Sequence, residues 1–263
     1  MSRPLITLTT DFGEGSPYVA QMKGAILSVN RDVELVNITH SIQPQNVLHG
    51  AIVLADTWRC FPAGTIHVAV VDPGVGTNRE LICVLCDDHY LVLPDNGLLT
   101  GVLQSHTPSK AVRLSDSRYH RAEVSNTFHG RDIMGPAAAH LSLGVEVEEL
   151  GEPHAKLAQI DVPQPTLSPD EIDGQVMFVD SFGNLITNIG GPLPAHPNME
   201  VWLNDKRIGQ PVATYGEGSP GQPVALVGSA NRLEIAVPNG NAAQLLGMRS
   251  GDKVKVCLLT QSE

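Results

Sequence analysis

Basic residues are scarce in this chain: 17 Lys and Arg stand against 28 Asp and Glu, for a formal net charge of −11. Nucleic acid and anionic membranes are met with a basic footprint, so neither is expected as the main partner. Charged residues of both signs make up only 17% of the sequence and apolar ones 42%, the balance of a soluble globular protein. No apolar run approaches the roughly 20 residues of a membrane span. Met1-Ser2-Arg3-Pro4 passes straight into strand-like sequence, which leaves no room for a signal peptide, and the protein is expected to be cytoplasmic.

Cysteine is also sparse, with four in 263 residues. Cys83 and Cys86 form one CxxC, but Leu81-Ile82-Cys83-Val84-Leu85-Cys86 reads as a strand, where residues three apart face opposite ways. No second CxxC exists to complete a metal site, so both are expected to be buried free thiols. Other signatures are missing too. No GxGxxG opens the first helix, no GxxxxGK[ST] is present, and the ten histidines show no HxH, HxxE or HExxH spacing. Nicotinamide binding of the ordinary kind, P-loop chemistry and a catalytic metal are thereby disfavoured.

What is present is strand alternating with helix. Residues 5–10 read as a strand. Ser16-Pro17 opens a helix to about Asn30, with Ser as cap and Pro at the first position. Val19, Met22, Ile26 and Val29 recur on one face of it. Strands follow at 33–38, 66–71, 81–86 and 90–93. Helices are expected at 46–61, after the turn Asp95-Asn96-Gly97, and at 131–143 before Gly144. This order argues for a mostly parallel sheet covered on both faces. Pro163, Pro165 and Pro169 then mark a linker. Beyond it come short strands at 173–180, 186–189, 199–203, 223–227, 232–237 and 253–259, with one helix at 242–246, as in a small antiparallel barrel or sandwich. The expected domains are 1–165 and 166–263.

Three strands end on a carboxylate followed by a glycine turn: Thr9-Thr10-Asp11-Phe12-Gly13, Val70-Val71-Asp72-Pro73-Gly74, and Phe178-Val179-Asp180-Ser181-Phe182-Gly183. Ligands of open α/β sheets sit outside the carboxyl ends of the strands, which is where such residues point. Asp before Gly or Pro often does no more than cap a turn. Asp11 and Asp72 on one sheet edge, with Arg79 following Asp72, make a ligand site the better reading. His129, in Asn126-Thr127-Phe128-His129-Gly130-Arg131-Asp132, sits in a polar turn before a helix. The segment from Ser229 to Asn241 reads as a strand between polar loops that Pro238 terminates.

Taken in order, TTDFG, YVAQMKGAI, VDPGVGTNR, PDNGLL, TFHGRD, VDSFGNLITNI and SANRLEIAVPNGNAA resemble the S-adenosylmethionine hydroxide adenosyltransferase family, from Leu5 to about Val256. That family is related to the fluorinase and chlorinase. The resemblance implies an N-terminal α/β domain, a C-terminal β-barrel-like domain, and a homotrimer with sites at subunit interfaces. It implies a catalytic set of Asp72, Arg79 and His129. Asp11 corresponds to the carboxylate that holds the ribose hydroxyls, Asp180 to the acid facing the methionine ammonium, and Asn184 to the amide that reads adenine. Phe182 and Tyr215 correspond to packing partners, Tyr18 to a contact near the amino-acid end, and Ser229, Glu234 and Val237 to further ligand contacts.

The implied reaction is attack of water on the ribose C5′ of S-adenosylmethionine (SAM), giving adenosine and L-methionine. SAM is the substrate, and no cofactor or metal is called for. The halogenases carry other residues where this chain has Asp72 and His129, and the fluorinases carry a long insertion where Asp87-Asp88-His89-Tyr90 joins two strands directly. A carboxylate at position 72 repels halide but orients and deprotonates water, which favours hydrolysis. Arg79 and His129 would stabilise developing hydroxide, and a cationic Arg79 favours a neutral His129. A SAM-dependent halogenase and a non-catalytic adenosine or SAM sensor are the alternatives.

Overall fold

The computed structural model describes residues 3–193 and 199–258. The chain divides into two compact units, Met1–Val162 and Pro163–Glu263. The first unit carries strands β1 (Leu5–Thr10), β2 (Glu34–Thr39), β3 (Ile66–Val70), β4 (Leu81–Cys86), β5 (His89–Pro94) and β6 (Lys110–Arg113). They form one sheet in the order β2-β1-β3-β5-β4-β6. The pairs β1–β2, β1–β3 and β3–β5 are parallel, and β4 runs antiparallel to both β5 and β6.

Helices cover both faces, as a parallel sheet requires. On one face α1 (Pro17–Val29) and α4 (Gly135–Leu141) contribute Met22, Ile26, Ala137, Ala138 and Leu141 to a core with Ile6, Leu8, Val68 and Cys83. On the other, α2 (Val47–Thr57) and α3 (Thr100–Leu103) contribute Leu54 and Val102 to a core with Ala69, Val71, Ile82 and Cys86. Cys83 and Cys86 therefore lie on opposite sides of one strand as buried free thiols, as their spacing predicts. Ser16 caps α1, its side chain accepting from the Tyr18 N–H at 3.2 Å. Asp87 and Asp88, with φ of 44° and 61°, make the two-residue turn between β4 and β5; positive φ at both positions gives the twist that hairpins prefer.

The helix expected at 131–143 begins differently. Gly130–Met134 is a π-helical turn that leads into α4. Pro136 has no N–H for the Asp132 carbonyl, so an ordinary α-helical bond is missing there. The Arg121 N–H takes that carbonyl instead, at 2.9 Å.

The second unit holds β7 (Thr166–Leu167), β8 (Glu171–Val179), β9 (Leu185–Gly190), β10 (Met199–Leu203), β11 (Lys206–Gly209), β12 (Val224–Val227), β13 (Arg232–Ala236) and β14 (Lys253–Leu258). Seven of them run in the order β11-β10-β14-β8-β9-β13-β12, all antiparallel, with β7 paired to β8. The sheet curls into a nearly closed barrel around Val176, Leu185, Val201, Leu233, Ile235, Val254 and Val256. The 253–259 strand expectation runs one residue past the described ones. Helix α5 (Ala242–Leu246) begins where the Ala243 N–H bonds the Gly183 carbonyl at 2.9 Å. β6 and β11 are short strands that the sequence pattern does not announce.

Candidate active site

The chain leaves β1 for β2 on one side and returns from β2 to β3 on the other, so the carboxyl ends of β1 and β3 flank a switch point of the sheet. Such crevices are where open α/β sheets bind ligands. Thr10 and Val70 are direct parallel partners there, and Asp11 and Asp72 follow them within two residues. A cavity of about 200 Å³ opens at this point. Asp11, Gln45, Asp72, Thr127, Phe128 and His129 are among its lining residues.

Asp72, Arg79 and His129 form one hydrogen-bonded chain. Arg79 Nε donates to the two Asp72 oxygens at 2.8 and 3.0 Å, and Nη2 adds a further bond to Oδ2. The same Nη2 lies 2.9 Å from His129 Nδ1. The ion pair is buried, with side-chain exposures of 9% for Arg79 and 5% for Asp72. A buried pair repays its desolvation poorly, so stability is a weak reason for keeping it. Burial pushes the His129 pKa below its ordinary value, the charge of Arg79 pushes it further, and Asp72, Asp132 and a backbone bond to Ser125 oppose them. Guanidinium offers only donors, so Nδ1 accepts and the proton of the neutral ring sits on Nε2.

Two loops meet to build this chain. Gly76 has a φ of +79°, and a Cβ there would lie 2.6 Å from the Asn126 carbonyl oxygen. The turn that carries Arg79 can thus rest directly on the turn that carries His129. Asn96 Nδ2 donates to the Val71 carbonyl at 2.9 Å, tying down the residue before Asp72. Asp11 Oδ2 accepts from the Gln45 N–H at 2.8 Å. Tyr18 meets Phe12 and Phe128 edge-on, with ring centroids 6.1 and 5.3 Å away.

In the second unit, Asp180 closes β8 with an internally bonded turn. Its Oδ1 accepts from the N–H groups of Phe182 (2.9 Å) and Asn184 (2.8 Å), and its Oδ2 from the Asn184 side-chain amide at 3.0 Å. This engages one of the two Asn184 amide hydrogens; the second and the side-chain carbonyl oxygen can still bond elsewhere. Gly183 has a φ of +86° and packs against the Asn241 side chain. A cavity of about 780 Å³ is lined by Phe182, Asn184, Tyr215, Val237 and Pro238 among others. The Tyr215 hydroxyl donates to Glu234, and burial of that pair raises Tyr215 to about 12 and Glu234 above its ordinary range. Ser229 lies on an exposed turn outside that lining.

The structure thus gathers Asp11, Asp72, Arg79 and His129, with Tyr18 beside them, and separately gathers Asp180, Phe182, Asn184, Tyr215, Glu234 and Val237. Phe12, Gln45, Asn96 and Asp132 also shape the first group without having been singled out in the sequence. Gln45 reaches Asp11 through its backbone N–H, a contact that leaves no trace in residue type.

Among the described residues no group of His, Cys, Asp and Glu is arranged to hold a metal ion, and no helix is long and apolar enough to cross a membrane. Models of the SAM hydroxide adenosyltransferase N-terminal and C-terminal domains match residues 6–151 and 174–255. An (R)-S-adenosyl-L-methionine hydrolase of Salinispora tropica is 37% identical over 96% of this chain and 97% of its own. A fluorinase of Actinopolyspora mzabensis is 29% identical over 97% of each. Among solved structures, an uncharacterized conserved protein from Thermotoga maritima superposes with a TM-score of 0.89 at 33% identity, covering 96% of this chain and 99% of that one.

Proposed function

Because the chain belongs to the SAM hydroxide adenosyltransferase family, we propose that it hydrolyses S-adenosyl-L-methionine to adenosine and L-methionine, with Asp72, Arg79 and His129 acting on the attacking water. The observation that carries this reading is the Asp72–Arg79–His129 chain beside Asp11 at the switch point. The water oxygen bonds to C5′ as the C5′–S bond breaks, and the electron pair leaves on sulfur as a neutral thioether. No acid is needed for the leaving group; activating a weak nucleophile is the difficulty. Asp72 Oδ1 accepts only from Arg79 Nε and so keeps a lone pair, which orients the water and draws on its proton. Arg79 and His129 stabilise hydroxide character as it develops.

Asp11 takes the ribose diol on its remaining lone pairs, and Tyr18 borders the amino-acid end. Asn184 and Phe182 take the adenine, with Tyr215 packing on it, and Asp180 takes the methionine ammonium. Ser229, Glu234 and Val237 complete the contacts. The reading requires no cofactor, and it carries with it a cytoplasmic homotrimer with sites at subunit interfaces, for which light scattering on the purified chain is the check. The chemistry is tested by incubating the protein with SAM in ¹⁸O-water, with and without chloride or fluoride. Adenosine labelled at the 5′ oxygen supports hydrolysis. A 5′-halo-5′-deoxyadenosine makes the protein a halogenase, and bound but unconverted SAM makes it a sensor.

A further inference from the structure

Asp132 is a fully buried carboxylate that the chemistry above does not use. Its backbone groups and Oδ2 reach back to the irregular segment before the helix. Its Oδ2 accepts from the Ser125 N–H at 2.9 Å, its own N–H donates to the Phe128 carbonyl at 3.1 Å, and its carbonyl accepts from the Arg121 N–H at 2.9 Å. That last bond exists because Pro136 leaves the carbonyl free. One residue thus ties down positions 121, 125 and 128, and His129 follows directly. The Arg131 guanidinium forks onto the carboxylate at 2.6 and 2.8 Å, and Arg121 Nη1 adds a longer contact at 3.4 Å. Asn126, inside the tethered turn, is the residue whose carbonyl abuts Gly76 on the Arg79 loop.

We infer that Asp132 is a positioning residue: it holds the 125–128 turn against the first turn of the helix, and so sets His129 at hydrogen-bonding distance from Arg79 in a single tautomer. The inference rests on the hydrolysis reading for its kinetic consequence, but its structural content stands on His129 itself. A misplacement of about 1 Å at such a centre costs on the order of 100-fold in rate.

The test uses the full-length protein with ¹⁵N-labelled histidine. In the wild type, the His129 ring shows an unprotonated Nδ1 and a protonated Nε2. Asp132→Asn places an amide against donors, since Ser125 and Arg131 both present N–H groups. The expected result is a kcat for adenosine release lowered about 10- to 100-fold, KM within about 3-fold, and a His129 ring signal that changes to a mixture of tautomers. Arg131→Gln frees one side of the carboxylate and is expected to shift both readouts the same way by less. Should Asp132→Asn not fold, Arg131→Gln decides alone. Wild-type kcat and ring signals in the folded variants overturn the inference, as does a loss of rate that merely follows the folded fraction. If the wild type releases no adenosine, it is the hydrolysis reading that fails, and the ring signals still decide whether Asp132 positions His129.

Discussion

Arg79 Nη2 lies 2.9 Å from His129 Nδ1. An arginine can only donate, so the imidazole must accept, and a protonated ring in that place would set two cations against each other. The same guanidinium neutralises Asp72. One side chain therefore holds the Asp72 carboxylate and adds its charge to the burial that keeps the His129 ring neutral, with both residues in the wall of a single cavity.

Replacing Arg79 by Gln is expected to lower kcat about 100- to 1000-fold, the cost of losing one well-placed donor to a developing anion. It also moves the pH profile in a defined direction. His129 is held below its ordinary pKa first by burial and then by Arg79. Activity that needs the neutral ring is full above that pKa and is lost as pH falls through it. With Arg79 gone the pKa rises, so the acid limb of kcat shifts to higher pH. A limb that stays put or moves to lower pH removes His129 from the titration.

Gly76→Ala tests the meeting of the two loops. Its φ of +79° is strained for any L side chain, and the new Cβ meets the Asn126 carbonyl oxygen at 2.6 Å. A destabilisation of about 1–3 kcal/mol is expected from the backbone alone. Because the clash falls on the His129 turn, kcat at a temperature where the variant is fully folded should drop as well. Urea unfolding and kinetics on one preparation separate the two effects.

Acid stability turns on buried neutral histidines. His67 is held at about 3 and His49 at about 4, both by burial, with His89 adding to the effect on His67. His67 Nδ1 shares a 2.8 Å bond with Thr7 Oγ1, and its Nε2 lies 3.2 Å from His89. The unfolded chain binds a proton at each near pH 6.5, and the folded chain does not until far lower. Their contribution is complete above pH 6.5 and is lost as pH falls toward 4 and 3, at up to about 1.4 kcal/mol per pH unit for each group. His67→Leu should be less stable at pH 7, through the partners it strands, yet lose stability less steeply between pH 6.5 and 4. Urea midpoints at four pH values check the slope.

The large elements were legible because their signals are local and periodic. Ser16-Pro17 opens a helix where it should, Cys83 and Cys86 alternate across a strand, and Asp11 and Asp72 close neighbouring parallel strands. The missed strands carry no such pattern: Lys110-Ala111-Val112-Arg113 and Lys206-Arg207-Ile208-Gly209 are short pieces at or near sheet edges, defined by pairing rather than by alternation. At the site, residue type exposed the groups with chemistry but not those with geometry. Gln45 acts through its backbone, Asn96 through a carbonyl one residue before Asp72, and Asp132 through a helix start that Pro136 reshapes. Each depends on a long-range contact that no sequence window contains.

Phe182 separates binding from folding in the second unit. Its ring is 75% exposed although it is large and apolar, and it lines the 780 Å³ cavity. The turn beneath it is held by backbone bonds to Asp180, which Phe182→Ala leaves in place. The substitution should therefore change stability by no more than about 0.5 kcal/mol. A base stacked on an aromatic ring is worth about 1–3 kcal/mol. If that ring holds the adenine, KM for SAM rises about 10-fold or more while kcat is nearly kept, because the lost contact is made equally in the ground and transition states. An unchanged KM would take Phe182 off the substrate, and a kcat loss at constant KM would give its ring a part in aligning C5′ for attack.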